Sequence, residues 1–164
     1  MADQEIVLLD GTPVSFPDIT ITCSIIGGES WPMTGVKEIS SKCSVKKEQQ
    51  KNPDGTVAGQ TTGVQECSAG MTLFRSAYQA HKRRLAKSAP TVAGLKRTDL
   101  VKCTLTVIHD PIGSEEIYHR EIREVTFNGS DVKNAQGPGV DEVAMELSPS
   151  QVVDIIDGEE VLGC

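Results

Sequence analysis

Along most of this chain apolar and polar residues alternate. Ile19, Ile21, Cys23 and Ile25 fall on one face of an extended segment, and Ile39, Ser41, Cys43 and Val45 alternate with Ser40, Lys42, Ser44 and Lys46. Within Val64 to Phe74, Cys67, Ala69, Met71 and Leu73 share a face. A period of two marks strands with one buried side. Val101, Cys103, Leu105 and Val107 predict another strand, Ile117 to Phe127 a further one, and Val143, Met145 and Leu147 line one face of Val140 to Leu147. The period changes once: Ala77, Tyr78, His81 and Leu85 recur at helical spacing among good helix formers, with Pro90 as a stop, which predicts a single long helix over about 76–88.

Turn chemistry separates these segments. Glu5 to Leu9 reads as a strand, Asp10-Gly11-Thr12-Pro13 as a turn, and Val14 onward as a second strand continuing through Ile25. Gly27-Gly28 ends it, and Trp31 and Pro32 fall in a connection. Asp110-Pro111-Ile112-Gly113, Asn128-Gly129 and Gly137-Pro138-Gly139 act as breakers, and after Ser148-Pro149 the short apolar run Val152 to Ile156 ends at Asp157-Gly158. Gln49 to Gly63 offers only Val57 and Ala58 to a core, so it reads as a loop or an extended hairpin tip projecting from one domain spanning residues 1–164. Unstructured connections of that length are uncommon in compact domains unless they have a task.

Aromatic residues make up only 4% of the chain, so its core is built from Val, Ile, Leu and small residues, a mix that suits strands. The net charge of −7 hides a division along the sequence. Residues 1–130 are balanced, and the last 34 carry eight acidic side chains against Lys133 alone. Lys37 to Lys102 holds thirteen basic and five acidic groups. The chain thus has a cationic middle and an anionic tail.

The apolar run Ile6 to Leu9 is too short for a secretory signal core, and nothing approaches the ~20 apolar residues of a membrane span, so folding in the cytosol without a membrane anchor is expected. Cys23, Cys43, Cys67, Cys103 and Cys164 show no Cys-x-x-Cys and no nearby His pair, so zinc spacing is absent. The first four lie on strands in phase with apolar faces, where a buried free thiol is the favoured reading. Cys164, at the last position, is the leading candidate for a disulfide between subunits, with Cys23, Cys43, Cys67 and Cys103 as further candidates. No catalytic setting surrounds the three histidines, and His81, on the apolar helix face, reads as packed. No Gly-x-Ser-x-Gly elbow or phosphate loop occurs, and neither enzyme nor cofactor is expected. The basic helix face Lys82, Arg83, Arg84 and Lys87 has three readings: a solvated face, a nucleic-acid contact without aromatic support, or a patch that meets the anionic tail of another copy.

Lys42-Cys43-Ser44-Val45-Lys46-Lys47, the polar run Gly59-Gln60-Thr61-Thr62-Gly63, the strand Val64 to Leu73 and the helix from Arg75 together resemble the tail tube proteins of contractile-tailed bacteriophages and related injection systems. The closing order is also similar, with a long strand from Leu100, turn residues, Glu121 to Gly129, a late strand ending Glu146-Leu147-Ser148-Pro149, and a last apolar segment ending Asp157-Gly158. The resemblance covers about residues 36–160. It implies a mainly β fold, two packed antiparallel sheets forming a small barrel or sandwich with one flanking helix. It also implies hexameric rings stacked helically into a virion tail tube, assembled in the host cytoplasm. A surrounding sheath and baseplate or terminator proteins would be partners, and genomic DNA would pass through the lumen without specific binding. Contacts between copies are expected at Asn52, Pro53, Asp54, Gly55, Thr56 and Val57 and at Lys82, Arg83 and Arg84. A secretion-type tube is the alternative within this class. A monomeric β-sandwich that binds through residues 49–63 and a hydrolase are readings from other classes.

Overall fold

The structure, a computed structural model, describes residues 6–15, 19–61, 63–110, 117–132 and 141–163. The alternating segments form strands β1 (Ile6–Leu9), β2 (Thr12–Ser15), β3 (Ile19–Ile25), β4 (Ser30–Pro32), β5 (Val36–Val45), β6 (Glu48–Lys51), β7 (Val57–Thr61) and β8 (Gln65–Phe74). Helix α1 (Arg75–Ser88) and the small hairpin β9 (Thr91–Val92) and β10 (Leu95–Lys96) follow, then a 3-10 turn at Thr98–Leu100. The chain continues through β11 (Cys103–His109), β12 (Tyr118–Val132), β13 (Glu142–Ser148), β14 (Gln151–Ile156) and β15 (Glu159–Leu162).

These strands make two packed sheets that share one member. The first runs β2-β1-β5-β8-β13-β12, and the second runs β15-β14-β12-β11-β3-β4. The first part of β12 pairs with β11 and β14, and its second part, from Thr126, pairs with β13. The transfer occurs at a bulge: Cys103 faces Val125 but Leu105 faces Ile122, and Glu124 within the bulge has φ 50°. An extra residue in one strand bends it and sharpens its twist, which lets one ladder serve both sheets. A second bulge at Asn128 keeps the strand running where Asn128-Gly129 reads in sequence as a breaker.

Val7, Ile39, Met71, Leu73, Val143 and Leu147 from the first sheet and Ile21, Leu105, Val107, Ile122 and Val152 from the second are buried in a common core. Burying each such side chain stabilises the fold by roughly 1.5–3 kcal/mol relative to exposure. Arg120 ties the sheets at one edge of this core. Its Nε and Nη2 donate to Asp154 of β14 at 2.5 and 2.9 Å, and Nη1 donates to Ser41 Oγ of β5 at 2.9 Å. Hydrogen bonding to Asp154 holds the guanidinium charged, above its ordinary pKa.

Helix α1 leaves β8 with no linker and no side-chain cap. Its start is fixed by backbone bonds instead, Phe74 N–H to the Gly35 carbonyl at 3.0 Å and Arg75 N–H to the Asp141 carbonyl at 2.8 Å. Gly35 has φ 69°, and a Cβ there would lie 2.8 Å from the Ala77 methyl, so this crossing requires glycine.

The mainly β sandwich with one flanking helix agrees with the sequence reading, and several details differ from it. Among the described residues the sheets do not close into a barrel, and they are not wholly antiparallel, because Leu8 and Leu9 pair in parallel with Glu38 and Ile39. The second strand does not continue into the third: β2 pairs with β1 in one sheet and β3 with β11 in the other. Pro17, which cannot donate to a ladder, falls between them in the sequence. Trp31 sits on edge strand β4, buried at 4% exposure, rather than in an open connection. The breakers at 111–113 and 137–139 lie outside the described residues.

Cys43 and Cys67, directly opposite on β5 and β8, are bonded to each other within the chain. They are half-buried at the sheet's end rather than enclosed as free thiols, and pairing within the chain removes them as free partners for another subunit. Cys23 and Cys103 are free and fully buried. Cys164 lies outside the described residues.

Reducing the Cys43–Cys67 bond, or replacing both residues with serine, is expected to lower stability by about 3–4 kcal/mol through the loop it closes. Urea unfolding with and without reductant measures this, and the serine variant is expected to show no reductant effect.

Candidate assembly surface

Most of the polar run expected over 49–63 forms a hairpin arm, described from Glu48 to Thr61. β6 and β7 pair with each other alone, and every residue of both is exposed. Asn52 to Thr56 forms its tip. Gly55 N–H donates to the Asn52 carbonyl at 2.9 Å and Asn52 N–H to the Thr56 carbonyl at 2.8 Å, while Asp54 Oδ1 accepts from Thr56 N–H at 2.9 Å and Thr56 Oγ1 at 2.6 Å. These bonds, the hydroxyl first, hold the Asp54 carboxyl below its usual range. Gly55, at φ 84°, makes the turn. The tip is therefore well formed, yet an isolated two-stranded hairpin is marginal in water. With Val57 55% exposed, the arm buries no apolar side chain against its own domain among the described residues.

The cationic residues lie elsewhere. The arm leaves the β5–β8 pair near Cys43 and Cys67, whereas helix α1 begins at the opposite end of β8, roughly 30 Å away along that strand. Lys82 Nζ donates to the Tyr78 hydroxyl at 3.3 Å, and the Arg84 guanidinium lies 5.5 Å from the Trp31 ring centroid. Arg83 and Lys87 are exposed. The two groups of expected contact residues thus form two surfaces, not one.

Much of the anionic tail is already neutralised within the chain. Asp141 pairs with Arg75, Glu142 with Lys37, Asp154 with Arg120 and Glu160 with Arg123. Asp157 and Glu159 remain exposed at the β14–β15 turn, in none of the ion pairs described.

Sequence reasoning missed a cleft under helix α1. It encloses about 260 Å³ and is lined by Tyr78, His81, Lys82, Asp99, Phe127 and Ser130, with further residues of the helix, the 3-10 turn and β13. The helical phase of His81 was legible, but the neighbouring wall comes from β12 and the 3-10 turn, distant in sequence. His81 is 3% exposed and packs edge-on against Phe127, with ring centroids 4.8 Å apart, and against Trp31 at 5.7 Å. Neither imidazole nitrogen has a hydrogen-bond partner, nor does Trp31 Nε1. Burial, reinforced by the Arg84 charge, lowers the His81 pKa to about 4. His109 ends β11, and His119 on β12 stands 4.0 Å from Glu121. The described residues bring neither to His81. Among the described residues no cluster of His, Cys, Asp or Glu is arranged to hold a metal ion, and no helix is long and apolar enough to cross a membrane.

This fold is similar to that of tube proteins of contractile injection systems. Solved structures give that likeness its particulars. A chain of an extracellular contractile injection system, the PVC sheath-tube complex in the extended state, aligns with a TM-score of 0.58 at 10% identity, covering 91% of this chain and 93% of that one. A chain of the anti-feeding prophage cap, the AFP tube terminating cap, aligns at 0.55 and 11% identity over 93% and 97%. A chain of the PVC sheath/tube terminator in the extended state gives 0.53 and 11% over 87% and 96%. No protein-family model matches the sequence, and no curated protein does.

His81 makes stability pH-dependent. Its folded pKa is depressed from 6.5 to about 4, so as pH falls through this window the unfolded chain takes up a proton that the folded chain refuses. Stability from this residue is intact above about pH 6.5 and falls by about 3 kcal/mol on reaching pH 4. Urea unfolding across that range is expected to show the loss in the wild type and a shallower loss in His81→Leu.

Proposed function

We propose that this chain is a structural subunit of the inner tube of a contractile tail or injection device, and that it assembles as hexameric rings stacked into a hollow cylinder. The observation that carries this reading is the end-to-end likeness of fold to a chain of a sheath-tube complex, covering nine-tenths of both proteins. A surrounding sheath and a terminating cap, named for the neighbours, are the corresponding partners here. A virion tail passing genomic DNA and a phage-derived injection device passing protein both fit such a tube. The injection device is favoured by the neighbours' own assemblies.

The hairpin arm supports the reading physically. Its backbone is ordered by its own turn bonds but its side chains are wholly exposed, which suits a contact completed by a neighbouring copy. Deleting Asn52 to Gln60 is expected to leave a folded monomer that forms no rings or tubes. Negative-stain imaging and size-exclusion chromatography test this, and unchanged tubes would remove the arm from assembly. A persistent wild-type monomer under all conditions would overturn the tube reading itself.

With Cys43 and Cys67 bonded together and Cys23 and Cys103 enclosed, Cys164 is the thiol for a bond between copies. Oxidised particles are expected to give a ladder on non-reducing gels that Cys164→Ser abolishes. A single monomer band from oxidised wild-type particles would reject this bond.

A further inference from the structure

We infer that the cleft under helix α1 receives the acidic tip of the β14–β15 hairpin of a second copy of this chain, making a head-to-tail contact. This rests on the tube-subunit reading and supplies it with a specific joint.

The cleft is built to donate. Tyr78 and Ser130 share a hydroxyl–hydroxyl bond of 3.0 Å at its wall, and the Lys82 ammonium reaches the same phenol oxygen. The deeper His81 imidazole, buried and unpartnered, carries an N–H on one nitrogen and a lone pair on the other. Asp99 also lines the cleft, but Arg97 holds both its oxygens, at 2.8 and 2.5 Å, so its charge is offset. A carboxylate leaving water needs charge-assisted and hydroxyl donors, which this wall supplies. At about 260 Å³ the space falls short of the roughly 300 Å³ at which pockets for drug-sized ligands begin, and it suits one or two side chains.

The β14–β15 tip has the complementary chemistry. Asp157 at φ 52° and Gly158 at φ 81° make a tight two-residue turn of the kind that matches strand twist. The tip presents the carboxylates of Asp157 and Glu159 beside Ile156, which is 57% exposed. Across from them, Leu95 and Leu100 near the cleft's 3-10 turn are 71% and 51% exposed, so apolar surface is available on both sides of the joint.

The two features cannot be partners within one chain by the path of the sheet. Asp154 is level with Arg120, so the tip projects past the Tyr118 end of β12, while the cleft is walled by Phe127 to Ser130 towards its other end. Roughly 30 Å of strand separates them. No residue of β14 or β15 lines the cleft. Complementary patches at opposite ends of one molecule make a heterologous contact, the kind that grows rings or filaments.

Three full-length variants test the joint: Asp157→Asn with Glu159→Lys at the tip, Lys82→Glu in the cleft, and all three together. Asn is used at 157 because it tolerates positive φ. The tip and cleft variants are each expected to raise the concentration needed for assembly by about tenfold or more, and the combined variant to recover most of that loss. A photo-crosslinking residue at Ile156, in a mixture of isotope-labelled and unlabelled protein, is expected to join residues 78–99 of a different copy. Wild-type tubes with no effect of tip charge, or crosslinks to another region or to the same copy, would overturn the joint and leave the tube reading standing. Glutarate binding to the cleft that is unaffected by tip charge, with assembly equally unaffected, would assign the cleft to small carboxylates and overturn the joint. Wild-type protein that never assembles would overturn the tube reading, and the joint with it.

Discussion

Every backbone N–H and C=O of a strand inside a sandwich must find a partner, and strand β12 meets that demand by changing sheets partway along. Up to Val125 its ladder belongs with β11 and β14, and beyond it with β13. The bend is localised at Glu124, where positive φ in a non-glycine residue is held by pairing on both sides. From this one strand follow the angle between the sheets, the position of the core between Leu73 and Leu105, and the wall that β12 offers to helix α1. Arg120, just before the bend, adds a second tie by joining β5 to β14.

The electrostatics show a division that net charge along the sequence does not reveal. Half of the tail's acidic residues meet basic partners from the balanced part of the chain, so the tail is not a free anionic surface. Surface pairs of this kind contribute little to stability one at a time. Their larger effect is selective: they offset four of the tail's eight acidic groups and leave Asp131, Glu146, Asp157 and Glu159 outside the ion pairs described. The helix keeps its cations, two of them lying over aromatic rings.

Periodicity made the long strands legible, because a half-buried strand repeats every two residues and Ile39, Met71, Leu105 and Met145 all sit in phase. Helix α1 was legible for the same reason, at its own period. Short edge strands left no such mark: β4 has three residues, β15 shows four exposed ones, and their pairing is decided by the neighbour rather than by their own pattern. Bulges were also opaque, since Asn128-Gly129 has turn chemistry that tertiary pairing overrides. The arm was legible as an anomaly, too polar and too long to be a core connection. The cleft was not, because its wall joins residues 78 and 130, which no local window contains.

The Cys43–Cys67 bond spans the whole hairpin arm, its ends 24 residues apart in sequence. An exposed hairpin tip is the preferred place for a protease to cut. A nick between Lys46 and Val64 would therefore sever the peptide chain without releasing a fragment, because the sulfurs still join the two halves at the mouth of the arm. The nicked protein would keep its mass, and only a reducing gel would reveal the cut.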